Sequence, residues 1–201
     1  MIVTISNSYG SGAVAIAHEL AVRTGYEVVD RQLPVVVAKR LHVLPEEVEA
    51  AEAGKTVGER VLAGLELATP ELTLSEPEVR FDEACLREVQ EAVRAYAAKG
   101  DVIFLGRAAF AILGRRRDVL RTFLHAPRDW RIHHVAEDLR VDERVAAAEV
   151  DRIDTARRAH VRDWYGLDWG DPKQYDLCID TAGFGMDATV ELLVQAVRSR
   201  R

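Results

Sequence analysis

The sequence predicts an α/β protein, a mostly parallel sheet covered by helices on both faces in a three-layer sandwich. Two observations carry this. A strand, a Gly-rich loop, a helix and a second strand follow one another within the first thirty residues, which is a βαβ unit and implies parallel strands. Short apolar runs then alternate with amphipathic helical segments to the end of the chain. Ligands of such sheets bind at the carboxyl ends of the strands, so the loops there are where chemistry is sought.

The elements follow in order. Ile2–Ser6 reads as a buried strand and Asn7–Gly12 as a small-residue loop. Ala13–Thr24 has helical periodicity, with Val14, Ala17, Leu20 and Ala21 on the predicted inner face, and Gly25 is a helix-terminating glycine. Tyr26–Asp30 is a second strand. From Arg31 to Lys99 no good strand occurs. Helices are predicted over Arg31–Leu41, from Pro45 onward, over Thr56–Ala68 and over Phe81–Ala98, with a loop at Thr69–Pro77 and a stop at Gly100. This block reads as a helical insertion, about 31–100, between the second and third strands. Val102–Leu105 is the third strand, followed by Gly106-Arg107 and a helix to about Leu113. Val119–Leu124 is the fourth strand. Arg128–Asp138 and Asp142–Arg162 are helices, and Trp164–Pro172 is a loop whose tryptophans anchor it onto the sheet. Leu177–Asp180 is the fifth strand and Met186–Arg198 the closing helix.

At 201 residues the chain has room for one domain, or one domain with an insertion. No apolar run reaches the length of a membrane span, and the opening Met-Ile-Val-Thr-Ile lacks the basic stretch of a signal peptide. Cys85 and Cys178 are too far apart for a disulfide framework or a metal-ligand spacing, and both read as small core residues. Of the six histidines only His133-His134 are close, and adjacent helical residues point apart, so no zinc site is indicated. A reduced, cytoplasmic protein is expected.

Charge is unevenly distributed. Residues 45–91 carry 13 acids against 4 bases, whereas residues 106–162 carry 13 arginines against 9 acids. A nucleic-acid binder shows a broader basic excess, whereas a small phosphate ligand needs only a local group of arginines with their planar forks.

The first loop, Ser6-Asn-Ser-Tyr-Gly-Ser-Gly12, opens a helix and so offers backbone N–H groups and a positive helix end to an anion. Two motifs compete for it. Gly10, Gly12 and Ala15 match the dinucleotide pattern G-x-G-x-x-A, with Asp30 twenty residues on as a ribose-binding acid. The P-loop G-x-x-x-x-G-K-S/T places Gly12 as its last glycine, with Ala13 where the lysine belongs. Three or four residues separate the strand from Gly10, which suits the wider P-loop wrap.

Taken together, Ile5-Ser6 with Tyr9-Gly-Ser-Gly12, Asp30-Arg31, Val102-Ile-Phe-Leu-Gly-Arg107, Leu124-His-Ala-Pro127, Asp151-x-x-Asp154-x-x-Arg157, Asp168-Trp-Gly-Asp-Pro172 and Tyr175-Asp-Leu-Cys-Ile-Asp-Thr181 make the chain resemble the cytidylate kinase-like family of P-loop nucleotide kinases over nearly its full length. The resemblance implies a five-stranded parallel sheet of order 2-3-1-4-5 in a single P-loop kinase-like domain, residues 1–201. It makes 31–100 the acceptor-binding insertion and about 140–172 a lid. It implies a phosphate-binding loop of Ser8, Tyr9, Gly10, Ser11, Gly12, Ala13 and Val14. Asp30 would contact the acceptor nucleotide, and Arg107 would clamp its phosphate. Arg131, Arg152, Arg157 and Arg158 would surround the transferring phosphoryl group, as such chemistry requires. Asp154 would orient the lid arginines by pairing with one of them. ATP and Mg²⁺ would be the cofactors and nucleotides the partners, without nucleic acid or membrane, and a homodimer is admitted. The chain departs from the pattern at the loop. Ala13 stands for the lysine, Val14 and Ala15 offer no hydroxyl for Mg²⁺, and Leu105 occupies the place of a metal-supporting acid. The activity implied is ATP-dependent phosphoryl transfer to a nucleoside monophosphate; a nucleotide sensor without turnover and, remotely, an NAD-binding oxidoreductase are the alternatives.

Overall fold

The computed structural model describes residues 1–30, 32–46, 48 and 76–200. Its sheet is built from Ile2–Asn7 (β1), Glu27–Val29 (β2), Val102–Leu105 (β3), Val119–His125 (β4) and Leu177–Asp180 (β5). All pairings are parallel and the order is β2-β3-β1-β4-β5. Ile2 lies opposite both Val102 and Val119, so the three central strands start level. Their residues are buried in near-continuous runs rather than in alternation, as a strand covered on both faces requires.

The helices are Ala13–Thr24 (α1), Gln32–Leu41 (α2), Glu76–Lys99 (α3), Ala109–Leu113 (α4), Arg128–Leu139 (α5), Glu143–Tyr165 (α6) and Thr181–Ser199 (α7). The chain divides into two compact units, Met1–Asp30 with Tyr96–Arg201, and Arg31–Ala95. Within the second, α2 and the first part of α3 carry the Arg40–Glu88 ion pair at 3.1 Å.

In the first unit, Ile16, Ala17 and Leu20 of α1 and Val190, Leu193 and Val194 of α7 cover one face of the sheet, against Val3, Ile5, Ile103, Leu120, Leu124 and Ile179. Each fully buried aliphatic side chain contributes about 1.5–3 kcal/mol. A second cluster holds Phe110, Val161, Trp169 and Tyr175, with Phe123 packed against it. Trp169 meets Phe123 edge-on at 5.1 Å, and its carbonyl accepts from the Tyr175 hydroxyl at 2.8 Å, which anchors the loop as expected. The third cluster joins α5 to α6 through Ile132, Val135, Ala146 and Val150, with Tyr9 against it.

Several boundaries follow the sequence reading. Gly25 terminates α1 with φ 75°, and Asp142 caps α6 by accepting from the Val145 N–H at 3.0 Å. Gly185, at φ 75°, interrupts α7 just before Met186, where a helix start was read. Other expectations are corrected. The α3 helix begins at Glu76, not Phe81, because Pro77 lies in its first turn, where a missing N–H costs nothing. Trp164 and Tyr165 are the last residues of α6 rather than the start of a loop. Val14 is 55% exposed, and Ala13 takes the inner position instead. Cys85 is buried, but Cys178 is exposed, since alternation along edge strand β5 turns Ile179 inward. Of the helix expected from Pro45, only Pro45, Glu46 and Val48 are described, all helical; Thr56–Ala68 lies outside the described residues. Among the described residues, no helix is long and apolar enough to cross a membrane.

Candidate functional site

The loop between β1 and α1 is tied down from several sides. The Ser8 N–H donates to the Leu124 carbonyl at 2.9 Å and the Ser11 N–H to the Ser8 carbonyl at 3.2 Å. The Thr181 hydroxyl bridges the carbonyls of Ser11, at 2.9 Å, and His125, at 3.1 Å. Gly10 has φ 82°, and a Cβ there would come 2.7 Å from Val135 Cγ2 and 3.0 Å from the Arg131 carbonyl. Only glycine lets the loop lie this close to α5. Gly12, at φ 74°, is the N-cap of α1.

The Asp154 carboxylate and the Arg131 guanidinium clamp Tyr9. Asp154 Oδ1 accepts the Tyr9 N–H at 2.9 Å, and Oδ2 accepts Arg131 Nη1 at 2.9 Å. Arg131 Nη1 also donates to the Tyr9 carbonyl at 2.8 Å, and its Nε to the Ala126 carbonyl at 3.0 Å. Both side chains are only 10% exposed, so this ion pair joins α5, α6 and the loop in the interior. The Tyr9 and Ser11 N–H groups are thus already used. Among the described residues those of Gly10 and Gly12, and of Ala13 and Val14 in the first turn of α1, have no such partner. Ser11 Oγ is buried without a hydrogen-bond partner, an expensive state for a hydroxyl.

Arg157, one turn along α6 from Asp154, donates from Nη1 to the Asn7 carbonyl at 2.6 Å, with its guanidinium 5.9 Å from the centre of the Tyr9 ring. Burial presses the guanidinium below its ordinary pKa. Asp154, Tyr9 and Asp30 push it back up, while Arg107 adds to the lowering. Four of the residues selected from sequence therefore meet electrostatically at this one side chain.

Arg107 sits in an unusual backbone. Gly106, Arg107 and Ala108 have φ of 75°, 58° and 48° in succession. Left-handed non-glycine residues cost on the order of 1–3 kcal/mol each and gather at functional sites. The turn is held by the Gly106 N–H donating to the Ile5 carbonyl at 2.8 Å, and it begins at the carboxyl end of β3.

The structure thus gathers Tyr9, Asp30, Arg107, Arg131, Asp154 and Arg157. Arg152 and Arg158 are exposed and engaged elsewhere, Arg152 with Glu149 at 2.7 Å and Arg158 over the Trp169 ring at 5.7 Å. Asp154 does pair with an arginine, but its partner is Arg131 on α5. Asn7, Thr181 and Val135 had no assigned role, yet they hold Arg157, Ser11 and Gly10 respectively. For Thr181 the available signal was its place in the Tyr175–Thr181 motif, just after the capping Asp180. The other two act through a backbone carbonyl and a methyl contact, which no residue type announces.

Mg²⁺ in phosphoryl-transfer sites is held by one or two carboxylates together with substrate phosphates. Among the described residues no group of three or more His, Cys, Asp and Glu side chains could hold a metal ion. Asp154 is committed to Tyr9 and Arg131. A Mg²⁺ here would lean chiefly on substrate phosphates, and no step below runs through one.

Residues 2–183 match the cytidylate kinase-like family. A cytidylate kinase from Halobacterium salinarum is 25% identical over 198 residues, which is 98% of this chain and 89% of that protein. Among solved structures, an uncharacterized protein from Eubacterium ventriosum superposes with a TM-score of 0.71 at 19% identity, covering 99% of both chains. Shikimate kinase from Bacteroides thetaiotaomicron gives 0.54 at 12% identity, covering 98% of both. The structural likenesses carry the fold, the three-layer P-loop kinase architecture with strand order 2-3-1-4-5. With the matched residues running from the first strand through the start of the last helix, the chain belongs to the cytidylate kinase-like family.

Proposed function

We propose that the chain transfers the γ-phosphoryl group of ATP to a nucleoside monophosphate, with CMP the leading acceptor. The observation that carries this reading is the placement of Arg157, bonded to the Asn7 carbonyl at 2.6 Å and 5.9 Å from the Tyr9 ring centre, where Asp154, Arg107 and Asp30 also act on its charge. Family membership supports it.

In this reading the free N–H groups of the loop and the positive end of α1 receive the β- and γ-phosphates. The Arg107 fork holds the acceptor phosphate, and Asp30 contacts the acceptor nucleoside. The acceptor base falls to the 31–100 segment. One oxygen of the acceptor phosphate attacks the γ-phosphorus. The bond from that phosphorus to the β–γ bridging oxygen breaks, and ADP leaves with the electron pair. Arg157 stands between the two phosphate positions and offsets charge on the equatorial oxygens, the main service a protein gives this reaction. Arg131 and Asp154 act as positioning residues, since their polar atoms are spent on the loop. Arg152 and Arg158 join from the 140–172 lid, the first by exchanging Glu149 for a phosphate oxygen. An NAD-binding reading leaves Arg107 without a role.

One observation favours a second reading, nucleotide binding without turnover. Ala13 is 3% exposed and faces the core, so the motif's lysine position sends no side chain toward phosphate. Incubation with ATP and CMP, UMP, dCMP or AMP, followed by chromatography of the nucleotides, separates the two. Formation of CDP with stoichiometric ADP is expected, with strong loss in Arg157→Ala. No diphosphate above background with any acceptor, together with a melting temperature raised by ATP, would establish the sensor instead.

A further inference from the structure

At the opposite, amino-terminal end of the sheet, a pocket of about 460 Å³ is lined by Arg115, Arg116, Arg117, Arg121, Asp176 and Arg200. Arg121 is the third residue of β4, and Asp176 immediately precedes β5, so this pocket belongs to the first unit and lies away from the strand ends that carry the site above.

Its charge is unbalanced. The Arg121 side chain, 4% exposed, donates Nη2 to Asp176 Oδ1 at 2.9 Å, and Arg200 Nη1 donates to Asp176 Oδ2 at 3.2 Å. One carboxylate therefore serves two guanidiniums. Arg116 pairs with Asp118. Arg115 donates Nη2 to the Lys173 carbonyl, which fixes the side chain without neutralising it. Among the described residues neither Arg115 nor Arg117 pairs with a carboxylate. Among the described residues five lining arginines thus meet two acids, Asp176 in the pocket and Asp118 beside Arg116, a local excess of three positive charges.

Exposed arginines in a turn are ordinarily just solvated. Here a concave wall contains a buried arginine, and two further guanidiniums are pinned to carbonyls, Arg115 to Lys173 and Arg200 to Val119 at 2.9 Å. Fixing the forks in advance removes much of the ordering cost of binding. The volume lies in the range of small-ligand sites.

We propose that this pocket is a second anion site that takes the di- or triphosphate group of a small molecule. Several guanidinium forks side by side match the oxygens of adjoining phosphates, and an excess of three charges calls for a polyvalent anion rather than a single monovalent one. A nucleotide's phosphate tail and inorganic polyphosphate share this chemistry. The site is independent of the phosphoryl-transfer reading, because none of its residues belongs to the loop, the turn after β3 or the arginines of α6.

Calorimetric titration of the full chain with inorganic triphosphate, ATP, orthophosphate and a short single-stranded oligonucleotide tests it. The proteins compared are the unaltered one, the double variant Arg115→Ser with Arg117→Ser, and Arg157→Ala. Residues 115 and 117 are exposed, and the unliganded melting temperature of the double variant checks that it folds. Removing both forks should weaken one triphosphate site by at least about tenfold, the scale of losing a charged hydrogen bond, while Arg157→Ala leaves that site intact. Equal weakening for ATP and inorganic triphosphate identifies the phosphate tail as what is read, whereas a larger effect for ATP assigns the pocket to a nucleotide. Triphosphate affinities that the double variant does not change overturn the proposal. So does weakening that is as large for orthophosphate, which is charge screening only, or an oligonucleotide that binds there more tightly than triphosphate. If the loop site takes no triphosphate, the unaltered protein shows one site, which the double variant loses and Arg157→Ala keeps; that outcome supports the second site and counts against phosphoryl transfer.

Discussion

The two ends of the sheet hold arginines in opposite ways. At the carboxyl end Arg131 is enclosed and bound to Asp154 and to the Tyr9 and Ala126 carbonyls, while half-buried Arg157 gives one bond to the Asn7 carbonyl. At the amino end the arginines outnumber their acids, and Arg115 and Arg117 have no carboxylate among the described residues. A guanidinium bound to a carboxylate and two carbonyls, as Arg131 is, is a part of the scaffold. One held in place but not neutralised is poised for a ligand.

The largest effect should come from breaking the balanced cluster. Asp154→Ala leaves the Arg131 charge buried and the Tyr9 N–H unpaired, and should lower stability by about 3–5 kcal/mol in denaturant unfolding. The double change Arg131→Met with Asp154→Leu removes both charges and should cost much less. If the single and double variants lose the same stability, the pair is not a coupled interior ion pair.

Next in size is the turn after β3. Arg107→Lys keeps the charge but loses the fork, so CMP binding should weaken by roughly 1.5–3 kcal/mol while ATP binding changes much less. Calorimetry with both ligands decides; an equal loss for both, or none for CMP, would move Arg107 out of the acceptor site.

A smaller gain should follow from placing a charge where the loop lacks one. Val14 is exposed and follows Gly12 by two residues, so Val14→Arg should tighten ATP by about 0.5–1 kcal/mol, the scale of an exposed ion pair. Ala13→Lys restores the motif in sequence but puts an ammonium among Ile16, Ala17 and Leu20, and should lower the melting temperature instead. The reverse pattern would mean that the first turn of α1 is rotated when nucleotide binds.

The smallest effect is one of pH. Burial works to raise the Asp176 carboxyl, but the hydrogen bonds from Arg121 outweigh it and, with Arg200, hold it below the usual carboxylate range. A depressed carboxyl contributes stability that is present above its unfolded value, about 4, and is lost as pH falls through the folded value. The melting-temperature gap between the unaltered protein and Asp176→Asn should therefore be full at neutral pH and close in acid. A gap that persists below pH of about 2 would assign the effect to packing rather than to the charge.

Local chemistry determined much of this molecule. The helix Ala13–Thr24 and its Gly25 stop, the strand Leu177–Asp180 and the Asp142 cap all arise from interactions within a few residues, and the sequence order of those residues is enough to read them. Asp30, Arg107 and Asp154, which the family motifs single out, all act on the charge of Arg157. Rotation and partnership were decided elsewhere. Periodicity put Val14 on the inner face, and contact with the sheet put Ala13 there instead. The resemblance paired Asp154 with one of the lid arginines. Only the approach of α5, bringing Arg131 from 23 residues away, made it the interior partner of a cation and of the Tyr9 amide. Arg121 and Asp176 are 55 residues apart, and the adjacency of β4 and β5 is what joins them. Side-chain burial and ion pairing depend on which distant segments pack together, and that is a property of the closed sheet and its helices rather than of any stretch of chain.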